Sequence, residues 1–283
     1  MAGLVWEERP QLRHPVLVAG FEGWNDAASA ASGAAGWLTQ RFGATKVASI
    51  EPEDHFDFQS VRPTVELVDG VTRSLQWPAN EFFAVPADAR DLVVMRGVEP
   101  NLRWPAFCRD VLDVAAETRC EMVVTLGALL ADVPHTRPVR ITGATSDPEL
   151  MARLGLQRSR YEGPTGIVGV LHDTARAAGV VSASLWAPVP HYVSTPPNPL
   201  ATRSLLDRLG QLLGTPFELG ELDEQAQTWR ERVDEVVSQD DDVSTYVGQL
   251  EERYDAEAET DVPSGETLAA EVEQFLRDQR DDQ

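Results

Sequence analysis

The chain has 283 residues, of which 42% are hydrophobic, and a formal net charge of −22. This length and composition supply enough apolar side chains for a sizeable core and exclude global disorder. The acidity lies mostly at one end, because residues 217–283 contain 22 Asp or Glu and five Arg, a net charge of −17 that leaves −5 for residues 1–216. Binding to nucleic acid or to an anionic membrane needs clustered Lys and Arg, so both classes of partner are excluded.

The beginning of the chain has charges of both signs and no long apolar run, which predicts neither a signal peptide nor an anchor. No stretch reaches the roughly 18 apolar residues of a membrane span. Cys108 and Cys120 have no metal-like spacing, so we expect reduced thiols. The sequence therefore predicts a cytoplasmic protein without a metal site.

Short apolar runs alternate with amphipathic segments along the first 216 residues. This alternation is typical of βαβ units, in which helices cover both faces of a mostly parallel sheet. We predict strands at 16–19, 46–50, 92–95, 122–126 and 180–185, and helices at 27–41, 104–118, 166–178 and 199–213. Weaker runs at 64–68, 72–76 and 81–85 predict a meander of short strands. Residues 51–57 have a composition that could bind a cation, but the alternation of Phe56 and Phe58 favours a further strand with one solvated face.

The acidic end keeps helical spacing with few apolar positions, and we predict helices at 219–237, 243–254 and 264–280. We expect Asp242 to cap the second of these helices and Ser264 the third. The third has an apolar stripe formed by Leu268, Val272, Phe275 and Leu276. The sequence thus predicts an α/β core domain over residues 1–216. It predicts an acidic helical appendage over residues 217–283, which packs on the core or on a neighbouring subunit.

Polar residues follow the predicted strands, at the carboxyl edge where open α/β sheets place ligand crevices. The segment after the strand 16–19 leads into an Ala-rich helix and contributes Glu22, Trp24, Asn25 and Asp26. After the strand 92–95, Arg96 either binds an anion or pairs with Glu99. These residues are candidates for one crevice.

Two histidines are further candidates. Asp132 and His135 follow the strand 122–126 and could orient each other for acid–base work, or satisfy backbone groups in a rigid, proline-flanked loop. His191 follows the last predicted strand and could face the same crevice, although a lone histidine there is more often structural.

Gly163, Thr165 and Gly166 precede a predicted helix, whose free amides could form a cradle for a phosphate or carboxylate. Their spacing matches neither the Walker nor the dinucleotide fingerprint, and turn geometry explains the glycines equally well. The chain contains no Gly-x-Ser-x-Gly elbow and no His-Glu-x-x-His motif. We assign no catalytic residue and expect no cofactor.

Four segments, read in order, resemble the proteasome assembly chaperone family in its actinobacterial branch: FEGWNDA (21–27), LADVPHTRP (130–138), YEGPTG (161–166) and SLWAPVPHY (184–192). This family comprises the second chaperone of the eukaryotic assembly pair and its archaeal and bacterial relatives. The similarity covers roughly residues 10–215, and the segments 262–265 and 275–277 resemble the usual ending of the branch.

The resemblance implies a three-layer α/β/α sandwich similar to that of nucleoside phosphorylases and some hydrolases. It also implies self-association into small rings, trimers in particular, or pairing with a paralogous subunit. Eukaryotic members guide assembly of proteasome α-subunits, and some members use a C-terminal hydrophobic-Tyr-x tail to enter pockets between those subunits. The sequence printed here closes on Arg280-Asp281-Asp282-Gln283, so we do not expect docking by that route.

Two hypotheses remain open. The first is a non-catalytic, oligomeric binding protein whose partners are itself, a paralogous subunit or proteasome subunits. The second is a small-molecule-binding protein or enzyme, of hydrolase, phosphorylase or ligase type, that uses the crevice at the carboxyl edge. In the second hypothesis Asp26 or Glu22 acts as a base or as a cation ligand, His135 carries a proton, and the amides between Gly163 and Gly166 hold an anion.

Overall fold

The computed structural model describes residues 3–145, 147–154 and 162–261. Its strands are β1 (Leu4–Trp6), β2 (Val16–Glu22), β3 (Thr45–Ile50), β4 (Thr64–Val68), β5 (Thr72–Gln76), β6 (Asn80–Val85), β7 (Leu92–Val98), β8 (Met122–Ala131), β9 (Thr142–Thr145) and β10 (Ser182–Pro190). Its α-helices are α1 (Ala30–Arg41), α2 (Trp104–Glu117), α3 (Pro148–Leu154), α4 (Ile167–Ala177), α5 (Pro199–Leu213), α6 (Gly220–Val237) and α7 (Asp241–Asp261). No helix within these described ranges is both long and apolar enough to cross a membrane.

The main sheet has eight strands in the order β1-β3-β6-β7-β2-β8-β10-β9. The four central strands, β7, β2, β8 and β10, are parallel. The strands outside them pair antiparallel, with β6, β3 and β1 on one side and β9 on the other. The carboxyl ends of the central strands therefore meet at one edge of the sheet, which we call the carboxyl edge. Because β3 runs in the same direction as β7, β3 also ends there.

Two hydrophobic layers cover the sheet, as alternation along β2 shows. Val16 and Val18 belong to the cluster that includes residues of α1 and α5, whereas Leu17 and Ala19 belong to the cluster that includes residues of α2 and α4. Successive side chains of a strand point to opposite faces, so a continuous apolar run supplies both layers. The predicted three-layer α/β/α fold is confirmed.

The acidic helices α6 and α7 contact the core of their own chain. Helix α6 packs along α5 and inserts Leu222 into the core cluster. Val233 of α6 and Val247 of α7 pack together with Tyr192, which follows β10. Arg137, in the loop after β8, forms a bidentate ion pair with Asp255 of α7, at 2.9 and 2.7 Å. This ion pair lowers the pKa of Asp255 below its ordinary value.

The hairpin formed by β4 and β5 stands apart from the main sheet, and we call residues 64–76 the hairpin arm. Its strands pair only with each other within the described residues, and nearly all their side chains are exposed. The predicted meander is therefore wrong in one respect, because β6 joins the main sheet between β3 and β7 instead of continuing the hairpin.

Other local predictions also differ from the structure. The strand predicted around Phe56 and Phe58 is wrong: Pro52–Asp54 form a 3-10 turn in which the Pro52 carbonyl accepts from two following amides, because proline presets the backbone for a turn. The cap of α7 is Asp240, whose Oδ1 accepts from the Asp242 and Val243 amides at 3.0 and 3.1 Å, and not Asp242. Strands β1 and β9 and helix α3 were not predicted. The predicted helix 264–280, its cap and its apolar stripe lie outside the described residues.

Candidate functional site

The turn after β2 is held beside β8 by the backbone of Asn25. The Asn25 carbonyl accepts from the Ala128 amide at 2.7 Å, and Asp26 forms an isolated parallel bridge with Ala128. Asn25 is only 3% exposed, whereas Trp24 is 68% exposed. The same short segment thus places one side chain in the protein interior and the next on the surface.

Asp26 caps helix α1. Its Oδ1 accepts from the backbone amides of Ala31 and Ser32, at 2.7 and 3.1 Å, and its Oδ2 accepts from the Ser32 hydroxyl at 2.5 Å. The chain reaches the helix through Ala28 and Ser29, whose φ values of 50° and 55° are strained for residues with a side chain. Burial raises the pKa of Asp26, and the hydrogen bonds with Ser32 and Ala31 oppose that rise. The hydrogen bonds of the Asp26 carboxylate therefore stabilise the strained turn between β2 and α1.

Glu99, just after β7, connects three parts of the carboxyl edge. Its Oε2 accepts from the Trp24 amide at 3.1 Å. Its Oε1 accepts from Asn25 Nδ2 and from the Ile167 amide, both at 2.9 Å. The Glu99 amide in turn donates to the Glu22 carbonyl at 2.8 Å. One carboxylate thus joins the turn after β2 to the beginning of α4.

The predicted anion cradle at the start of α4 receives a carboxylate of the same chain. Ile167, the first residue of α4, donates its amide to Glu99, which places a negative charge at the positive end of the helix. A side chain on Gly166 would collide with the Asn25 amide and the Glu99 carboxylate, so any larger residue would have to displace these two groups. Gly163 and Thr165 are exposed. Tyr161, which begins this motif, lies outside the described residues.

His135 lies in a separate, buried cluster against α6. It is 1% exposed, and its Nδ1 and Nε2 lie 2.7 Å from the Tyr192 hydroxyl and 2.9 Å from Asp234 Oδ1. The Tyr192 oxygen also accepts from the His135 backbone amide at 2.9 Å, so its own proton is directed at Nδ1. A neutral His135 then carries its ring proton on Nε2 and donates it to Asp234.

Burial determines the titration of this cluster. It lowers the pKa of His135, and the hydrogen bond with Asp234 only partly opposes that shift. It also raises the pKa of Tyr192 to about 12. Both side chains are therefore neutral near pH 7, and they join the loop after β8 to α6.

The pair of Asp132 and His135 that the sequence suggested does not form. Asp132 Oδ1 instead lies 3.2 Å from His191 Nδ1 and accepts from the Tyr246 hydroxyl at 3.4 Å. His135 turns to Asp234, 99 residues further along the chain. The two histidines thus contact the appendage helices and share no hydrogen-bond partner with Asp26 among the described residues.

A crevice of about 930 Å³ opens at the carboxyl edge, and we call it the carboxyl-edge crevice. Its walls include Glu22 and Arg96 from the sheet and Trp229 from α6. Arg96 does not pair with Glu99: its Nη1 lies 3.5 Å from the Thr39 hydroxyl, and its guanidinium lies over the Phe83 ring. Of the predicted crevice residues, Glu22 and Arg96 line this crevice together, whereas Asn25, Asp26 and His135 are engaged elsewhere.

The described residues offer little reactive chemistry. No group of three or more His, Cys, Asp or Glu within them is arranged to hold a metal ion. Burial raises the pKa of both Cys108 and Cys120 to about 11, so these free thiols are protonated near neutral pH. Sequence reasoning considered Glu99 only as a partner of Arg96 and did not single out Asp234, Tyr192 or Trp229.

The fold and this geometry define a three-layer α/β/α protein with an acidic helical appendage, whose buried polar residues mainly join its elements to one another. A model of the PAC2 family matches residues 20–237. The chain belongs to the PAC2 family.

Solved structures of relatives agree with that assignment. A PAC2 family protein from Streptomyces avermitilis is 49% identical, with a TM-score of 0.77, over 82% of this chain and 99% of that one. A proteasome-assembly chaperone homologue from Mycobacterium tuberculosis is 45% identical, with a TM-score of 0.76, over the same shares. PbaB of Pyrococcus furiosus, an archaeal proteasome activator, is 20% identical over 82% of this chain and 97% of that one, and its TM-score of 0.66 shows a common fold. Among curated proteins, no match to the chain was found.

Proposed function

We propose that this protein is a non-catalytic, ring-forming binding protein, trimeric in its basic state, that contributes to the assembly of protein partners. Proteasome subunits and a paralogous subunit are the first partners to test. Membership of the PAC2 family and the similarity to a proteasome-assembly chaperone homologue support a role of this class. The observation that carries the proposal for this chain is its exposed hairpin arm.

The hairpin arm has an apolar face that the described part of the chain leaves more than half exposed. Its register places Val65 opposite Leu75 and Leu67 opposite Arg73, so Val65, Leu67 and Leu75 share one face. These three side chains are 54%, 61% and 55% exposed. Alternation of this kind is typical of strands with one buried face, and a lone two-stranded hairpin is marginally stable in water. We therefore expect the apolar face of the arm to be buried against a partner.

A second copy of the chain offers a matching surface. Trp24, Leu102, Leu129 and Leu130 are exposed large apolar residues that follow or end β2, β7 and β8, which are neighbours in the sheet. The hairpin arm follows β3 and therefore projects from the same edge. An arm of one copy that docks on this patch of the next makes a head-to-tail contact, and such contacts close into rings when the rotation permits. The segment 62–76, which is the arm with the two residues before it, has two basic and two acidic residues, so this segment is neutral within an acidic chain and does not add to the repulsion between two copies.

The hydrogen bonds that these polar residues form within the chain support a role without catalysis. Asp26 caps a helix, Glu99 joins three segments, and His135 holds α6. Each carboxylate or imidazole already has partners in the fold, which leaves none of them free to act as a base toward a bound substrate.

A pair of hairpin variants tests the proposal. Leu67→Asp places a charge on the apolar face, whereas Thr64→Asp places the same charge on the opposite face of the arm. The lost burial of one leucine corresponds to about 1.5–3 kcal/mol, or roughly a tenfold to 150-fold weaker association. Light scattering after size-exclusion chromatography should show a smaller species at lower concentration for Leu67→Asp only. Equal masses for both variants at every concentration would contradict this use of the arm.

The carboxyl-edge crevice favours a second candidate function, binding of a small molecule. It brings Glu22 and Arg96 together under α6, and its volume of about 930 Å³ lies in the range of ligand sites. A thermal-shift screen against a metabolite library, repeated with Arg96→Gln, tests this candidate. A stabilising compound that acts equally on both proteins would argue against the crevice.

We also propose the domain division of residues 1–216 as core and 217–283 as appendage. The small hydrophobic cluster that Val233, Val237 and Val247 form apart from the main core supports it, while Leu222 joins α6 to the core cluster. Brief proteolysis should cut first after residue 216 and leave a folded core; early cuts within the core would refute the division.

A further inference from the structure

A second cavity, of about 630 Å³, lies between α5 and α6 and shares no lining residue with the carboxyl-edge crevice. Helices α5 and α6 form two of its walls, and residues 138–141 form the third. We call it the arginine cavity, because four arginines from these three segments line it: Arg140, Arg203, Arg208 and Arg230. All four are partly buried, although arginine side chains are mostly exposed in proteins.

Helical spacing directs charged side chains into this cavity. On α6, Asp223, Gln227 and Arg230 follow at intervals of four and three residues, and on α5, Arg203 and Asp207 are four residues apart. Such spacing defines one stripe of a helix, and a stripe that faces another helix is ordinarily apolar. Here the facing stripes are polar and enclose open space.

The lining carries more positive than negative charge. Four guanidinium groups face two carboxylates, in a chain whose net charge is −22. Asp223 accepts from Arg203 Nε at 2.8 Å, and Asp207 accepts from Gln211 Nε2 at 3.1 Å.

Arg140 and Arg230 differ in the contacts that their guanidinium groups make with the rest of the chain. Arg140 stacks 3.6 Å from the Tyr254 ring centre and lies 3.6 Å from Glu257, beside the cavity. Arg230 Nε is buried and has no hydrogen-bond partner among the described residues. A buried guanidinium nitrogen without an acceptor is costly. Arg230 lines the cavity, so an anion held there would lie beside this otherwise uncompensated guanidinium charge.

We propose that the arginine cavity binds a phosphate or diphosphate group, free or as part of a small phosphorylated molecule. The planar fork of arginine matches phosphate oxygens, and the net positive lining favours an anion with two or more charges. The cavity volume exceeds that of one phosphate and lies in the range of small-molecule sites. Val139, Ile141 and Leu200 add an apolar wall on which an organic body would rest.

Calorimetric titration of the full chain with inorganic pyrophosphate tests the proposal, at an ionic strength held constant with sodium chloride. We expect saturable binding to one site. Arg230→Gln should weaken it by about tenfold or more, since a hydrogen bond to a charged group is lost. Arg232→Gln is the matched control, because Arg232 is on the same helix but lines the carboxyl-edge crevice. Absence of saturable binding, or an equal effect of both variants, would overturn the proposal.

Two further experiments separate loss of binding from loss of folding and identify the kind of ligand. If Arg230→Gln lowers the melting temperature, Arg208→Gln replaces it, and the same loss of binding is expected. Orthophosphate and adenosine monophosphate distinguish the two sources of the group: tighter binding of the nucleotide indicates that the apolar wall holds an organic body, and tighter binding of orthophosphate indicates a free anion. A nucleotide that binds no more tightly than adenosine, together with undetectable orthophosphate binding, would contradict a phosphate site.

Discussion

Replacement of Glu99 by glutamine should destabilise the protein, although the glutamine side chain has almost the same size and shape as the glutamate side chain. The Glu99 carboxylate accepts three hydrogen bonds, from the Trp24 amide at 3.1 Å and from Asn25 Nδ2 and the Ile167 amide at 2.9 Å. All three donors are N–H groups, so an acceptor is required at both oxygens. A glutamine side chain has one acceptor and one donor, and its NH₂ group would face at least one of these N–H groups.

The expected cost follows from those contacts. Loss of one hydrogen bond to a charged acceptor costs about 1.5–3 kcal/mol. Loss of the negative charge at the beginning of α4 adds about 0.3–1 kcal/mol, because a helix N-terminus favours an anion. Glu99 is half-buried, so solvent screens part of the electrostatic contribution. We therefore expect Glu99→Gln to lower the free energy of unfolding by about 2–3 kcal/mol.

Urea unfolding followed by circular dichroism measures this difference, with Glu22→Gln as the matched control. Glu22 is a nearby glutamate whose side chain is exposed, so its replacement should leave the free energy of unfolding within about 0.5 kcal/mol of the wild type. Equal stability of Glu99→Gln and the wild type would refute the view that Glu99 connects the carboxyl edge. Such a result would instead leave Glu99 free for a ligand.

Two other predictions concern Asp26 and His135. Asp26→Ala removes the cap of α1 and should cost about 1–2 kcal/mol in the same unfolding assay. Asp26→Asn keeps an oxygen for the two backbone amides and should cost less; an equal cost for both would contradict the capping role. Burial lowers the pKa of His135 in the folded protein, so on acidification the unfolded chain takes up the proton first. The stability that neutral His135 contributes is therefore complete above the ordinary histidine pKa of 6.5. It decreases as the pH falls below that value. After correction for the intrinsic exchange rate, which itself falls with pH, the protection of α6 amides should decrease on acidification in the wild type and in His172→Gln, which removes a partly buried histidine, but change less in His135→Gln. The same response in all three proteins would exclude His135 as the cause.

The layers of the fold could be predicted because they depend on local patterns. An apolar run such as Val16 to Ala19 supplies both faces of a buried strand, and the helices between the strands carry one apolar stripe each. Two of the three predicted acidic helices, α6 and α7, were also found where their spacing placed them. Phe56 misled the strand prediction, because it is buried beside a 3-10 turn and its apparent alternation with Phe58 does not reflect a pleated strand.

The site depended on contacts that are distant in the sequence. Glu99 reaches Asn25 and Ile167, which are 74 and 68 residues away, and His135 reaches Asp234 across 99 residues. No local spacing records such pairs, so Asp132, the nearest carboxylate, was chosen as the partner of His135. The sequence did indicate that polar residues gather after the strands, but not that the fold itself satisfies most of them.

The exposure of the hairpin arm could not be predicted either, because alternation in β4 and β5 indicates a buried face without saying what buries it. In the single chain Leu67 and Leu75 remain exposed, and this mismatch between pattern and burial is the main evidence for an assembly. The same reasoning does not apply to β6, whose alternation matches its position inside the main sheet.

Native mass spectrometry of the full chain tests the central claim most directly, first alone and then mixed with the proteasome α-subunits of its own host. A ring-forming assembly protein should give a mass of about three times the 31.1 kDa protomer mass, and a further complex that contains both proteins in the mixture. A chain that stays at the protomer mass at every concentration and joins no partner would contradict the assembly role. That result would leave the carboxyl-edge crevice and the arginine cavity as the features that explain what the protein does.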